Sequence, residues 1–107
     1  MALEHHDVLA GFIRLHVLHH AADGEIYGQW MIDELGRHGY RLSAGTLYPM
    51  LHGMERRGYL VSRKEREGRA YRRLYAITPL GREALAIARR QVRELVREVR
   101  PEPSEGG

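Results

Sequence analysis

The chain has no cysteine among its 107 residues. That removes any disulfide framework and any thiolate metal site, and it fits a reducing compartment. No apolar run approaches the roughly 18 residues of a membrane span. The N-terminus lacks the basic-then-apolar order of a signal peptide. A soluble, cytoplasmic protein is expected. Groups for covalent chemistry are equally scarce. Serine stands only at positions 43, 62 and 104, and there is no phosphate loop, no G-x-S-x-G and no H-E-x-x-H. An enzyme is therefore not expected. The stretch from Arg100 to Gly107 has no apolar side chain to anchor it, so a frayed tail is expected at 100–107. One domain of this length can bury a core with little to spare.

What the chain does have is concentrated between Ser43 and Gly81. Ser43-Ala44-Gly45-Thr46-Leu47-Tyr48-Pro49 opens a helix that closes at Glu55-Arg56-Arg57-Gly58. Tyr59-Leu60-Val61 then leads into an arginine-rich hairpin, which returns through Tyr75-Ala76-Ile77-Thr78-Pro79. A helix followed at once by a basic two-stranded hairpin is the layout of a winged helix-turn-helix. The charge supports that layout. The whole chain is only +3, yet Arg56 to Arg73 holds eight basic and two acidic residues, a balance of +6. The other nine basic and twelve acidic residues balance at −3. A local positive field on a nearly neutral body suits a phosphate binder. The plainer alternative is a solvated hairpin whose arginines only keep it soluble.

The expected class is α+β, mainly α. A winged helix-turn-helix over 1–78 includes an N-terminal helix over 3–22, and a long C-terminal dimerisation helix follows over 79–99. Helix 1 is apolar almost all round (Leu3, Val8, Leu9, Phe12, Ile13, Leu15, Val17, Leu18), which predicts burial on more than one side. Helix 2 spans about Tyr27 to Arg37, with Ile32 and Leu35 inward and Gly36 and Gly39 at its end. Tyr40-Arg41-Leu42 reads as an extended piece and a candidate first strand. Ser43 is the expected N-cap of helix 3, its hydroxyl accepting from a free backbone N–H. Leu47, Met50, Leu51 and Met54 form the inward stripe, and Tyr48, His52 and Arg56 the outward one. Tyr59 to Lys64 and Ala70 to Ile77 are the wing strands, with the turn at Arg66-Glu67-Gly68-Arg69. Thr78 followed by Pro79 is a strong start for helix 4. Its Leu85, Ala88, Val92, Leu95 and Val99 repeat at 3, 4, 3, 4, the seam of a coiled coil. The expected partner is a symmetry mate, with Phe12 of helix 1 joining the interface. Packing of the seam on helix 1 of the same chain is the alternative.

Several runs resemble the PadR-like transcriptional regulators. Gly45-Thr46-Leu47-Tyr48-Pro49-x-Leu51-x-x-Met54-Glu55-x-x-Gly58-Tyr59-Leu60 resembles their helix 3 signature. Arg72-Arg73-Leu74-Tyr75-x-Ile77-Thr78-x-x-Gly81 is similar to the segment after their wing, and Ile26-Tyr27-Gly28 to the start of their helix 2. The resemblance covers roughly residues 8 to 99. It implies a dimeric bacterial repressor that binds a near-palindromic operator and releases it on meeting an effector. The single long C-terminal helix resembles the small-bodied subgroup. Two features depart from the pattern. Tyr27 precedes the glycine of Gly28-Gln29 where a Gly-Tyr pair is usual. Helix 4 has no tryptophan, so the stacking of a flat drug between paired C-terminal helices is not implied.

The candidate DNA contacts are Ser43, Thr46, Tyr48 and His52 on helix 3 and Arg63, Lys64, Arg66, Arg69 and Arg73 in the wing. Hydroxyls and free N–H groups at a helix N-terminus suit phosphate and base-edge contacts. The wing cations alternate along the strands, so only some of them can face DNA, and Arg66 and Arg69 sit at the tip. Histidine is in excess near the N-terminus. His16 and His20 lie one turn apart with His19 beside them, a spacing that can place two imidazoles on one metal. No cofactor is required; a divalent ion of the zinc type on His16, His19 and His20, or a pH response of these histidines, is the candidate effector. The plainer reading makes His19 a core histidine and His5 and His6 solvated. Two other functions stay open. One is a winged-helix protein-interaction module without DNA binding, which would have no need of the wing charge. The other is a metal-buffering helical protein, which would need the histidines to converge.

Overall fold

The computed structural model describes residues 5–100. Of the tail expected over 100–107, residues 101–107 lie outside them; helix 1, expected from Leu3, begins at His6, because His5 sits at its N-cap with a φ of 56°. Seven elements follow in order: α1 (His6–Asp23), β1 (Ile26–Tyr27), α2 (Gly28–Arg37), α3 (Ala44–Arg56), β2 (Leu60–Glu67), β3 (Ala70–Ile77) and α4 (Pro79–Val99). The strands form one antiparallel sheet in the order β1-β3-β2. The first strand is therefore Ile26–Tyr27 and not the Tyr40–Leu42 segment, which is irregular. Ile26 pairs with Tyr75 and Tyr27 with Leu74. A bridge of two residues leaves no period-two pattern to read.

Local chemistry sets the helix limits. Helices α2 and α3 end alike, each at a glycine with positive φ, Gly39 at 92° and Gly58 at 87°. Beyond α2, Tyr40 N donates to Leu35 O and Gly39 N to Gly36 O. Beyond α3, Tyr59 N donates to Met54 O and Gly58 N to Glu55 O. These paired bonds are Schellman caps, which need a left-handed residue that glycine supplies without a Cβ clash. Helix α4 starts as its cap predicts. The Thr78 hydroxyl accepts from Gly81 N at 3.0 Å and Pro79 holds the first position. Helix α3 runs unbroken through Pro49.

The core gathers one face of every helix. Ile13, Val17, Leu18 and Ala21 of α1, Met31 and Leu35 of α2, and Leu47, Met50, Leu51 and Met54 of α3 are buried with Leu60, Tyr75 and Leu85. All four inward positions expected of α3 are thus in place. Helix α1 divides its apolar surface: the residues just named face the core, while Val8 is 66% and Phe12 39% exposed. Helix α4 divides too. Leu85 is only 3% exposed, whereas Leu95 is 39% and Val99 63% exposed. Leu85 therefore belongs to this chain's own core and cannot serve as a seam residue for a second chain. The heptad spacing identified a stripe, but its first residue is covered from within.

Truncating Leu85 to alanine removes core volume that neighbouring helices cannot fully reclaim. Leu85→Ala should lower unfolding free energy by about 2–5 kcal/mol, read by urea denaturation. Leu95→Ala, on the exposed part of the same stripe, should cost the isolated protomer well under half of that.

Candidate nucleic-acid interface and histidine cluster

The hairpin register sorts the wing charges. Side chains alternate between faces along a strand, and residues directly opposite in an antiparallel pair share a face. The register pairs Ser62 with Tyr75, Lys64 with Arg73 and Arg66 with Tyr71. These residues form one face. Arg63 pairs with Leu74 and Glu65 with Arg72 on the other. Both acidic residues of the hairpin, Glu65 and Glu67, fall on that second face with Arg63 and Arg72.

Ion pairs neutralise the second face. The Arg63 guanidinium donates twice to the Glu25 carboxylate, each at 2.8 Å. Arg72 reaches Glu65 at 3.0 Å and Glu67 at 3.1 Å, and its guanidinium lies 4.3 Å from the centre of the Tyr27 ring. The hydrogen bond to Arg63 holds the Glu25 carboxyl below the usual range, and the same bond raises Arg63. The first face has no such compensation. Among the described residues, Lys64, Arg66, Arg69 and Arg73 have no carboxylate partner. Arg66 instead donates to Gly68 O at 3.1 Å, at the hairpin turn. Of the expected wing contacts, Arg63 is thus held in an ion pair, while Lys64, Arg66, Arg69 and Arg73 keep their charge free.

The uncompensated face is tied to α3. The Glu55 carboxylate, in the last turn of that helix, accepts from Ser62 N at 3.0 Å and from the Ser62 hydroxyl at 2.8–2.9 Å. Arg73 Nη1 donates to the same hydroxyl at 3.1 Å. Helix and wing are held in fixed relation by one carboxylate whose partners are half-buried.

At the other end of α3, Ser43 occupies the N-cap position with extended backbone, but its hydroxyl makes no cap bond. It lies 3.4 Å from Thr46 Oγ1. The expected cap bond is therefore replaced by a side-chain pair. The first-turn N–H groups of Ala44 and Gly45 precede the earliest intrahelical donors, Thr46 N and Leu47 N, which both bond to Ser43 O. Ser43 and His52 are exposed and Thr46 half-buried. Tyr48 is not the solvent-facing residue its spacing suggests. Its ring is half-buried and packs so closely on Gly28 that a Cβ there would meet the ring carbons and hydroxyl. The ring thus joins the N-terminus of α2 to α3, and Gly28 is the residue that admits it.

A second constellation lies between α1 and α2. His16, His20 and His38 present ligand atoms that all fall within 4.8 Å of one another. His19 does not take part. It is exposed, and its Nδ1 is 3.1 Å from Arg89 of α4. It is neither a member of the cluster nor a core residue. His38, at the C-cap of α2, takes the third place and was missed from sequence, because nothing local signals where a capping residue meets α1. The His16 ring is 4.8 Å from that of His38 and 5.2 Å, edge-on, from that of Tyr40. His20 meets Trp30 edge-on at 5.3 Å. Burial, aided by the neighbouring imidazoles of His38, His20 and His19, holds His16 below the ordinary histidine range. Burial lowers His20 as well, against the opposing pull of Glu34.

The same architecture occurs in known proteins. Residues 17–87 match the model of the transcriptional regulator PadR-like family. The chain belongs to this family. The curated relative Rv3488, a transcriptional regulator of Mycobacterium tuberculosis, is 58% identical over 88 residues, 81% of each chain. A PadR family transcriptional regulator from Eggerthella lenta superposes with a TM-score of 0.77 at 28% identity, covering 87% of this chain and 82% of that one. A transcriptional regulator from Clostridium thermocellum also superposes with a TM-score of 0.77, covering 87% and 94%, and at 23% identity shares the fold. The protein is accordingly a PadR-family transcriptional regulator, a family of regulators and not of enzymes. Among the described residues no helix is long and apolar enough to cross a membrane.

The Glu55 clasp has a direct test. Glu55→Ala leaves the half-buried Ser62 N–H without its acceptor, so stability should fall by about 1–3 kcal/mol. Amide exchange should quicken in β2 near Ser62 before it changes in α1. Unaltered exchange at Ser62 would mean that the clasp does not fix the wing.

Proposed function

We propose that this regulator is a homodimeric, sequence-specific DNA-binding repressor that acts in the cytoplasm and leaves a near-palindromic operator when an effector binds. The observation that carries the reading is that the Glu55–Ser62 bonds join helix α3 to the wing face whose cations have no carboxylate partner. Helix α3 offers uncapped N–H groups with Ser43, Thr46 and His52. The wing face tied to it by Glu55 holds Lys64, Arg66 and Arg73, with Arg69 at the turn and no acidic residue between them. The helix N-terminus suits a phosphate or base edge in the major groove, and the wing suits the flanking backbone. Arg63 and Arg72 are positioning residues on this reading, since their charge is spent on Glu25, Glu65 and Glu67.

Dimerisation draws support from the apolar surface that α1 and α4 leave uncovered. Val8, Phe12, Leu95, Val96 and Val99 are exposed, and Ala88 and Val92 half-buried beside them. Contiguous apolar surface of this kind marks an association site. A second copy turned by a two-fold axis covers it and brings two recognition helices to one duplex, so half-sites should lie about 34–36 Å apart or at a multiple of that.

Fluorescence anisotropy with the DNA upstream of the protein's own gene tests both parts. If the dimer neutralises on the order of 6–10 phosphates, log K should fall against log[salt] with a slope near −0.9 for each. Each protomer brings its own Lys64 to the duplex, so Lys64→Ala should flatten the slope of the dimer by about 1.8. Arg63→Ala should change it far less. Equal flattening by the two, or binding indifferent to salt, would contradict the assignment. Leu95→Lys should dissociate the dimer in sedimentation while leaving the protomer folded, because a lysine there can reach water in the separated chain.

A further inference from the structure

The histidine cluster lies between α1 and the end of α2 and includes none of the residues assigned above to DNA contact. Resting on the proposal of an effector-controlled repressor, we propose that His16, His20 and His38, with the Glu34 carboxylate beside them, bind a divalent transition-metal cation of the zinc class whose occupancy fixes α1 against α2 and so changes operator affinity.

Four observations converge on the site. The three imidazoles come from two different elements, α1 and the end of α2, and their ligand atoms lie within 4.8 Å of one another. Tetrahedral coordination with bonds of 2.0–2.1 Å puts ligand nitrogens about 3.4 Å apart. Closing the set therefore takes side-chain rotations of about an ångström, not a rearrangement of helices. Second, His20 Nε2 is buried with no hydrogen-bond partner. Orphaned buried polar atoms are rare and unfavourable, and coordination would give this one a partner. Third, Glu34 is oriented toward the cluster. Arg37 donates to one carboxylate oxygen at 2.6 Å, and the other lies 3.1 Å from His38 Nε2 and 3.5 Å from His20 Nε2. The carboxylate balances the charge of a cation and can orient a ligating imidazole. Fourth, the Schellman cap at Gly39 holds His38 in place. Nitrogen and oxygen donors without sulfur select zinc, cobalt, nickel or copper over magnesium or calcium.

The site's position suggests what binding would do. Helix α1 carries Val8 and Phe12 of the apolar face assigned to the dimer. Helix α2 is bound to α3 through the Tyr48–Gly28 contact. A cation held by both α1 and α2 joins the frame that spaces two protomers to the unit that reads DNA. An effector acts only through unequal affinity for two states. A clamp that tightens one α1–α2 angle has that property.

Calorimetric titration of ZnCl2 into the full chain, first stripped with chelator, is the test. Wild type should bind one zinc per protomer, and His38→Ala should bind it roughly 100-fold more weakly. His19→Ala should match wild type, since His19 lies outside the cluster. Zinc should raise the melting temperature of wild type but not of His38→Ala. His38 is exposed, so wild type and His38→Ala should melt alike in chelator, and His16→Gln repeats the comparison from the other helix. Wild-type affinity in both His38→Ala and His16→Gln, or equal losses in His19→Ala and His38→Ala, would overturn the site. Operator binding supplies a separate reading. Stripped wild type and His38→Ala should bind DNA equally, and zinc should shift only the wild type. If zinc fills the site and operator affinity stays constant, the regulatory half is overturned. If no form binds DNA, the repressor reading fails, and the titration still decides the metal site.

Discussion

The two-residue alternation of the β2–β3 hairpin is the constraint on which the proposed DNA-reading surface depends. A strand cannot put adjacent residues on the same face. The order Arg63-Lys64-Glu65-Arg66-Glu67 therefore separates both acids and Arg63 from Lys64 and Arg66. Pairing with β3 adds Arg73 to the free cations and Arg72 to the neutralised side. A one-residue slip would exchange the faces and bring the carboxylates of Glu65 and Glu67 onto the face tied to α3. The turn at Gly68-Arg69 and the Glu55–Ser62 bonds at the two ends of β2 hold this register.

A second constraint is economy of surface. A protein of this size has few faces to spare, and α1 serves three at once. Ile13 and Val17 fill the core, Val8 and Phe12 remain open to a partner, and His16 and His20 meet the end of α2. This explains the weak amphipathicity of its sequence, since residues of every kind are needed around the helix. Helix α4 divides along its length instead, from the buried Leu85 to the exposed Val99. Anything bound at one face of α1 would lie within a helix diameter of the other two.

Much of this was legible in the sequence, and the rest was not for identifiable reasons. The start of α4 at Pro79, the ends of α2 and α3 and the four inward residues of α3 follow from caps and periodicity, which are local. The wing was legible as a basic hairpin, but not which cations stay free. That depends on Glu25, which lies 38 residues from its partner Arg63. His16 and His20 were visible as a pair at helical spacing. Their third member was not His19, the neighbour in sequence, but His38, which the crossing of two helices brings near. Tyr48 has the spacing of a surface residue and is half-buried only because Gly28 lacks a side chain. Periodicity names the stripe a residue belongs to; tertiary packing decides what covers it.

On the proposed function, this regulator reads DNA with the α3 N-terminus and one face of its wing. Amide chemical shifts of isotopically labelled protein, followed as duplex DNA is added, test it residue by residue. Shift changes should concentrate at Ala44, Gly45, Thr46, Lys64, Arg66, Arg69 and Arg73, and be small in the exposed half of α4. Changes centred on Val96 and Val99, or on Glu65 and Glu67 with the α3 N-terminus unmoved, would contradict it.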